Sequence, residues 1–233
     1  MNTFVILPTY NERKNIEELI SKILALAIPG LQILVVDDGS PDGTGQLVEQ
    51  FKQNEPKLHI LHRQAKQGLG PAYLAGFRYV LDQGVDYIME MDADFSHDPK
   101  YIPQLLLAAK QYDVVLGSRY IHGGGVRNWG LSRRLISQFG NLYARAILLS
   151  PVKDLTGGFK CFNKKVLESL DLDNVESLGY NFQIELTYKT LKKGFTIKEI
   201  PIIFTERKGG KSKFNMGIVL ESFIKVIQLR FKK

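Results

Sequence analysis

Cysteine is nearly absent from this 233-residue chain: Cys161 stands alone, so neither an internal disulfide nor a cysteine-ligated zinc site can form. A lone thiol suits a reducing compartment, and Cys161 is expected to serve as a small buried hydrophobe. Tryptophan occurs once, as Trp129, which suits either the core or an interface. The four histidines, His59, His62, His97 and His122, show no metal-ligand spacing and receive no role. Long hydrophobic runs are missing too. Pro29, Gly30 and Gln32, or charges such as Glu221 and Lys225, cut every apolar stretch below the roughly 18 to 20 residues that span a bilayer. The first ten residues lack a basic segment ahead of an apolar one, so no secretory signal is expected. With 21 glycines and 9 prolines the chain is too poor in both for collagenous or low-complexity structure, while 44% hydrophobic and 24% charged residues match an ordinary folded protein. No repeat or linker marks a boundary, and a single domain spanning 1–233 is expected.

What is present is charge of both signs, unevenly placed. Residues 1–109 carry 9 Lys and Arg against 14 Asp and Glu, whereas residues 110–233 carry 22 against 10, so the overall +7 is the sum of −5 and +12. Clustered aspartates in the first half point to a divalent cation; the basic second half points to phosphate groups, an anionic membrane or nucleic acid.

The hydrophobic pattern alternates between strand and helix. The run TFVILP at 3–8 precedes Ile16, Leu19, Ile20, Ile23 and Leu24 at helical spacing; ILVV at 33–36 precedes Leu47, Val48 and Phe51; LHIL at 58–61 precedes Tyr73, Leu74, Phe77, Val80 and Leu81. YIMEM at 87–91 leads into a helix near 99–111, and DVVLG follows at 113–117. This predicts an α/β fold with a mostly parallel sheet and helices on both faces. Tyr10, Asp37, Asp38, Asp92 and Asp94 then fall at strand carboxyl ends, where open α/β sheets bind ligands. Amphipathic helices are predicted at 133–149, with Arg133, Arg134 and Arg145 beside the apolar stripe, and in the C-terminal segment 217–231, and a further helix is predicted around 180–193, closed by Gly194.

The sharpest motif is MDADFSHD at 91–98. Two carboxylates one residue apart, on a turn after a strand, can reach one hard cation, and Mg²⁺ or Mn²⁺ would bridge Asp92 and Asp94 to substrate phosphates. An EF-hand is excluded, because His97 and Pro103 stand where its glycine and glutamate belong. An aspartate-nucleophile phosphatase would carry its DxD after the first strand rather than the fourth, and is the alternative from another class. VVDDGSPDGT at 35–44 could hold a base or ribose hydroxyl, or be an Asx-type turn ahead of a Thr44 N-cap.

PTYNE (8–12), VVDDGSPDGT, MDADFSHDP, GSRY (117–120), DLTGGFKCF (154–162), GYNFQIE (179–185) and ERKGGKSKF (206–214), in this order, resemble the polyprenyl-phosphate (dolichol-phosphate) mannosyltransferases of the inverting glycosyltransferase family 2. The resemblance runs from about residue 3 to about residue 216, and it implies the Rossmann-like glycosyltransferase-A fold. It further implies transfer of mannose from GDP-mannose to a polyprenyl phosphate, giving a β-linked product. UDP-glucose is the alternative donor, and a non-catalytic nucleotide-binding module would leave the paired aspartates and the basic loop unexplained.

Carried residue by residue, the resemblance places Pro8, Tyr10, Glu12, Val36 and Asp38 on the nucleoside. It lays Asp92, Ala93 and Asp94 along the diphosphate, with both aspartates at Mg²⁺ or Mn²⁺ and Ser96 beside them where relatives carry a further ligand. Arg119, Arg207 and Lys213 are expected to meet phosphates and, with Asp94, to form the catalytic set; Arg119 and Arg133 are expected at the acceptor phosphate. A phosphate monoester, with a second pKa of about 6, needs no general base, so Asp154 and Glu185 are read as structural or orienting groups. Residues 1–118 form the nucleotide-sugar and metal half, and 119–233 the acceptor and membrane-facing half. KGGKSK at 208–213 is expected to close over the diphosphate as a lid. Many relatives append transmembrane helices; here the membrane contact is expected to be peripheral, on the cytoplasmic face of the inner membrane, or supplied by a small membrane-anchoring partner. Nucleic acid is not among the expected partners.

Overall fold

The computed structural model describes residues 1–175, 177, 179–206 and 216–231. The first half alternates as the periodicity predicts: β1 (Thr3–Thr9), α1 (Ile16–Leu24), β2 (Leu31–Asp37), α2 (Thr44–Lys52), β3 (Leu58–His62), α3 (Leu69–Leu81) and β4 (Tyr87–Glu90). A short 3₁₀ turn, Pro99–Tyr101, leads into α4 (Ile102–Ala109) and β5 (Val114–Ser118). Successive side chains of β1 go to opposite faces, as a strand's period of two requires. Val5 and Leu7 enter one core, while Phe4 and Ile6 enter the other with Phe77 and Phe162. A strand apolar from Phe4 to Leu7 is therefore covered on both sides. In α1 the buried residues Ile16, Leu19, Ile20 and Ile23 recur at helical spacing, with Glu17 and Glu18 in the first turn and Lys22 in the last, charges that complement the helix dipole.

The Thr44 N-cap expectation is corrected. Thr44 is the first residue of α2, and Gly43, at φ 83°, is the cap. Thr44 Oγ1 instead accepts the Glu12 amide N–H at 3.0 Å and donates to Asp42 Oδ1 at 2.6 Å, tying the loop after β1 to the loop after β2.

Beyond β5 come β6 (Gly125–Arg127), α5 (Leu131–Leu148), β7 (Lys160–Asn163), α6 (Lys164–Ser169), α7 (Tyr180–Lys192), β8 (Ile197–Pro201), β9 (Ile203–Thr205) and α8 (Met216–Phe231). The seven-stranded sheet has the order β3-β2-β1-β4-β7-β5-β8, and β6 pairs with β9 in a small separate sheet. The sequence pattern did not show β7, which runs antiparallel between β4 and β5. The strand is four residues long and begins with a lysine, so no apolar run reveals it. Lys160 is nonetheless 1% exposed, because its cross-strand neighbour is Glu90.

The chain order reverses beside β1: β2 lies on one side and β4 on the other. The carboxyl ends of β1 and β4 thus border a switch point, the crevice where such sheets bind ligands. Tyr10 begins the loop from one rim and Met91 the loop from the other.

Cys161 is buried, as expected, and burial pushes its thiol well above the usual range. Because the thiolate is the reactive form, native protein should resist alkylation by iodoacetamide at pH 8 and react stoichiometrically only in denaturant. Rapid modification without denaturant would contradict this packing.

Candidate active site

The DAD turn sits on the rim of the switch point in a conformation that no run of ordinary residues adopts freely. Phe95 has φ 62°, a left-handed conformation uncommon for a bulky side chain. The loop is held by its own polar groups: Ser96 N donates to Asp94 Oδ1 at 3.0 Å, and Asp92 N donates to His97 Nδ1 at 3.1 Å. His97, to which no role was assigned, is 2% exposed and stacks on Phe159 at 5.0 Å between centroids. Burial holds its pKa down, to about 4, so the ring is neutral, accepts at Nδ1 and carries its proton on Nε2. Its sequence signal was its position five residues after Asp92, which only a loop folded back on itself makes meaningful.

The carboxylates crowd. Burial, then Asp94 and then Glu90 push the Asp92 carboxyl up to about 8, while the Tyr73 hydroxyl reaches toward Asp92 Oδ1 at 3.5 Å. Burial and the neighbouring Asp92 in turn hold the Tyr73 proton in place. Asp92 stays 29% exposed, so the pair faces the crevice. Ser96 Oγ is buried and has no hydrogen-bond partner among the described residues. Among the described residues no three His, Cys, Asp or Glu side chains converge on one point. Two carboxylates and a hydroxyl are hard oxygen donors, few enough to leave room for phosphates and water, which fits Mg²⁺ or Mn²⁺.

On the opposite rim, Asp38 is 5% exposed. It accepts from Arg63 Nη1 at 2.5 Å and from the Gln67 amide at 3.3 Å. Asp37 is turned inward and accepts from Thr9 Oγ1 and from Ser40. The two adjacent acids therefore divide: Asp37 braces the turn, and Asp38 lies toward Arg63 and Gln67. Lys66 Nζ lies 3.7 Å above the Tyr10 ring centroid. Pro8 and Val36 are register partners of β1 and β2, and Glu12 follows on the β1 loop, bonded to Asn15 Nδ2 at 2.7 Å. The structure thus brings Pro8, Tyr10, Glu12 and Asp38 to one side of the crevice and Asp92, Ala93, Asp94 and Ser96 to the other, whereas the Val36 side chain is wholly buried in the core with Ile6 and Phe77.

Arg119 follows β5 and is 8% exposed. Its Nε and Nη2 donate to the two oxygens of Asp154 at 2.7 and 2.6 Å, its backbone N–H donates to Asp154 at 2.9 Å, and Nη2 also reaches Thr156 Oγ1 at 2.7 Å. Tyr120, Trp129 and Phe204 stand within 6 Å of the guanidinium, an arrangement that suits its flat, weakly hydrated cation. Asp154 therefore orients Arg119. Glu185, 1% exposed, accepts from the Ser177 amide and pairs with Lys189. Arg133 bonds Glu206 at 2.6 Å and stacks 4.3 Å above Trp129. Arg207, Lys213 and the expected lid at 208–213 lie outside the described residues.

The family model of glycosyl transferase family 2 matches residues 4–171, more than half of the chain. The chain belongs to glycosyl transferase family 2. The undecaprenyl-phosphate mannosyltransferase of Micrococcus luteus is 44% identical over 97% of this chain and 93% of its own length. The polyprenol monophosphomannose synthase of Mycolicibacterium smegmatis is 45% identical over 97% of this chain and 86% of its own. A crystal structure of glucosyl-3-phosphoglycerate synthase from Mycobacterium tuberculosis, in complex with Mn²⁺, uridine diphosphate and glucosyl-3-phosphoglycerate, superposes with a TM-score of 0.69 at 18% identity. It covers 98% of this chain and 78% of that one, which bears on the fold. This family 2 member is a glycosyltransferase with a mostly parallel sheet, and the aspartate-nucleophile phosphatase is set aside.

Proposed function

We propose that this chain transfers mannose from GDP-mannose to a polyprenyl phosphate with inversion, giving the β-linked product, in a single domain whose two halves meet at the switch point. The observation that carries the reading is the 44–45% identity, across 97% of the chain, to two enzymes named for polyprenyl-phosphate mannose synthesis.

Pro8, Tyr10, Glu12, Val36 and Asp38 would take the nucleoside, and Asp92, Ala93 and Asp94 would lie along the diphosphate. Mg²⁺ or Mn²⁺ would be held by Asp92 and Asp94, with Ser96 beside them; when bound, it neutralises charge on the departing diphosphate. Arg207 and Lys213 would add cations there, and Arg119 and Arg133 would face the acceptor phosphate, Arg119 aimed by Asp154. A dianionic phosphate attacks without surrendering a proton, and the candidate bases, Asp154 and Glu185, are already bonded within the fold. Purified protein with Mn²⁺, polyprenyl phosphate and a panel of labelled nucleotide sugars tests the reading; preferential transfer from UDP-glucose would replace GDP-mannose as donor.

The acceptor half would lie on the cytoplasmic face of a membrane, directly or through a small anchoring partner. No described helix is long and apolar enough to cross a bilayer. In α5, Ala144 and Leu148 enter the core, whereas Leu131, Leu135, Phe139 and Leu142 are exposed at four, four and three residues apart, with Ile224, Ile227 and Phe231 exposed on α8. An apolar stripe flanked by arginines suits a lipid headgroup boundary. A combined Arg133→Ala and Arg134→Ala variant should raise KM for polyprenyl phosphate several-fold more than KM for the nucleotide sugar, and weaken binding to anionic vesicles in a salt-dependent way. A selective increase in the donor KM would overturn the acceptor assignment.

A further inference from the structure

We propose that a notch beside Gly158 receives a hydroxyl of the donor's hexose and that the side-chain amide of Gln183 reads it; this rests on the transferase reading and adds a specificity-determining residue to it. The two glycines of the TGGF turn differ in what demands them. A Cβ on Gly157 would meet Leu116 Cδ1 at 2.9 Å, so packing excludes a side chain there. A Cβ on Gly158 would sit 3.5 Å from Gln183 Nε2, 3.7 Å from His97 Cε1 and 3.9 Å from Asp92 Oδ1, all ordinary contact distances, and Gly158 has no positive φ. Neither backbone nor packing asks for glycine at 158. Its small size leaves open a space bordered by polar groups of the site.

The orientation of Gln183 is set by chemistry. Gln183 is 2% exposed, and its Oε1 accepts from Lys160 Nζ. An ammonium can only donate, so the oxygen must face Lys160 and the nitrogen must face away. Lys160 is itself held 3.6 Å from Glu90, and both are buried. The buried ion pair therefore locks the amide. Burial pushes the Glu90 carboxyl up to about 7 against the pull of Lys160 and of the Gln183 amide, and Nε2 completes no hydrogen bond of good geometry with any described residue. Buried donors nearly always find a partner, and here the donor lies 3.5 Å from the position that a Gly158 Cβ would take. The partner must accept from an amide and tolerate the carboxylate of Asp92 close by. A neutral hydroxyl can accept from Gln183 and donate to Asp92. In a nucleotide sugar bound with its diphosphate along Asp92 and Asp94, the group next to the diphosphate is the hexose.

The test compares sugar-dependent with nucleotide-dependent binding in the full chain. Gln183→Met removes the donor at similar volume, and Gly158→Ala fills the notch at distances the fold tolerates. With Mn²⁺ present, both variants should bind GDP within about twofold of wild type and lose about tenfold or more in kcat/KM for the nucleotide sugar, the scale of one lost hydrogen bond to a substrate hydroxyl. Among single-deoxy donors, one should be about tenfold poorer with wild type and no poorer than the parent sugar with Gln183→Met. Unchanged discrimination in both variants, or an equal loss of GDP affinity, would overturn the proposal; melting curves identify any variant that does not fold, and the other then decides. If wild type uses a different nucleotide sugar, the donor assignment fails while the same comparison with that sugar still tests the notch. If wild type binds no nucleotide sugar more tightly than its nucleoside diphosphate and transfers none, the notch proposal fails as well.

Discussion

Asp94→Asn is expected to lower turnover at least about 100-fold, which corresponds to about 2.7 kcal/mol of lost transition-state stabilisation. The substitution keeps the shape of the side chain and its oxygen for the Ser96 amide, so the loop should keep its fold. What disappears is one of the two carboxyl groups facing the crevice, the feature that makes the turn a cation site rather than a bracing one. The loss should be steepest at low Mn²⁺ and partly recovered as the metal is raised, because weakened metal affinity is one of its causes. Near-normal transfer at low Mn²⁺ would remove Asp94 from the metal assignment.

Asp154→Ala should be the most destabilising single substitution around the site. Asp154 is 0% exposed and takes three hydrogen bonds from Arg119; removing it takes the bidentate carboxylate from a cation that is 8% exposed. Breaking one side of a buried pair costs about 3–5 kcal/mol, since an uncompensated charge remains in the interior. For a chain of this size that is a fall in Tm of about 6–20 °C. Replacing both partners with apolar residues, as Arg119→Met with Asp154→Leu, should restore much of the melting temperature, because no charge is left buried. Transfer should not return with it if Arg119 serves the acceptor phosphate. A double variant that regains both stability and transfer would make Arg119 a purely structural residue, and an Asp154→Ala variant that melts like wild type would contradict the burial of the pair.

Much of the site was legible because its residues end strands. Tyr10, Asp38 and Asp92 each follow an apolar run whose end is visible in the pattern, and the parallel topology carries all such ends to one edge of the sheet. His97 and Gln183 were not legible as site residues. One reaches Asp92 because the DAD turn folds back on itself, and the other because α7 packs on a sheet whose interior holds Lys160. Neither relation has a fixed spacing in sequence. The predicted amphipathic stripe of α5 was legible as apolar, but its division between the core and the exposed face depends on which turn meets the sheet.

The sequence by itself determined the alternation of strands and helices, the sign and position of the aspartate pair, and the split between an acidic first half and a basic second half, since each rests on local periodicity or on charge counted along the chain. The tertiary structure decided what those charges are bonded to. It inserted the antiparallel β7 between β4 and β5 and so placed Lys160 against Glu90; it brought Asp154 onto Arg119 across 35 residues and turned Asp37 inward while leaving Asp38 toward the crevice. The physical reason is that burying a charge is tolerated only where a partner of opposite sign arrives at hydrogen-bond distance, and that partner is supplied by packing between elements far apart in the chain.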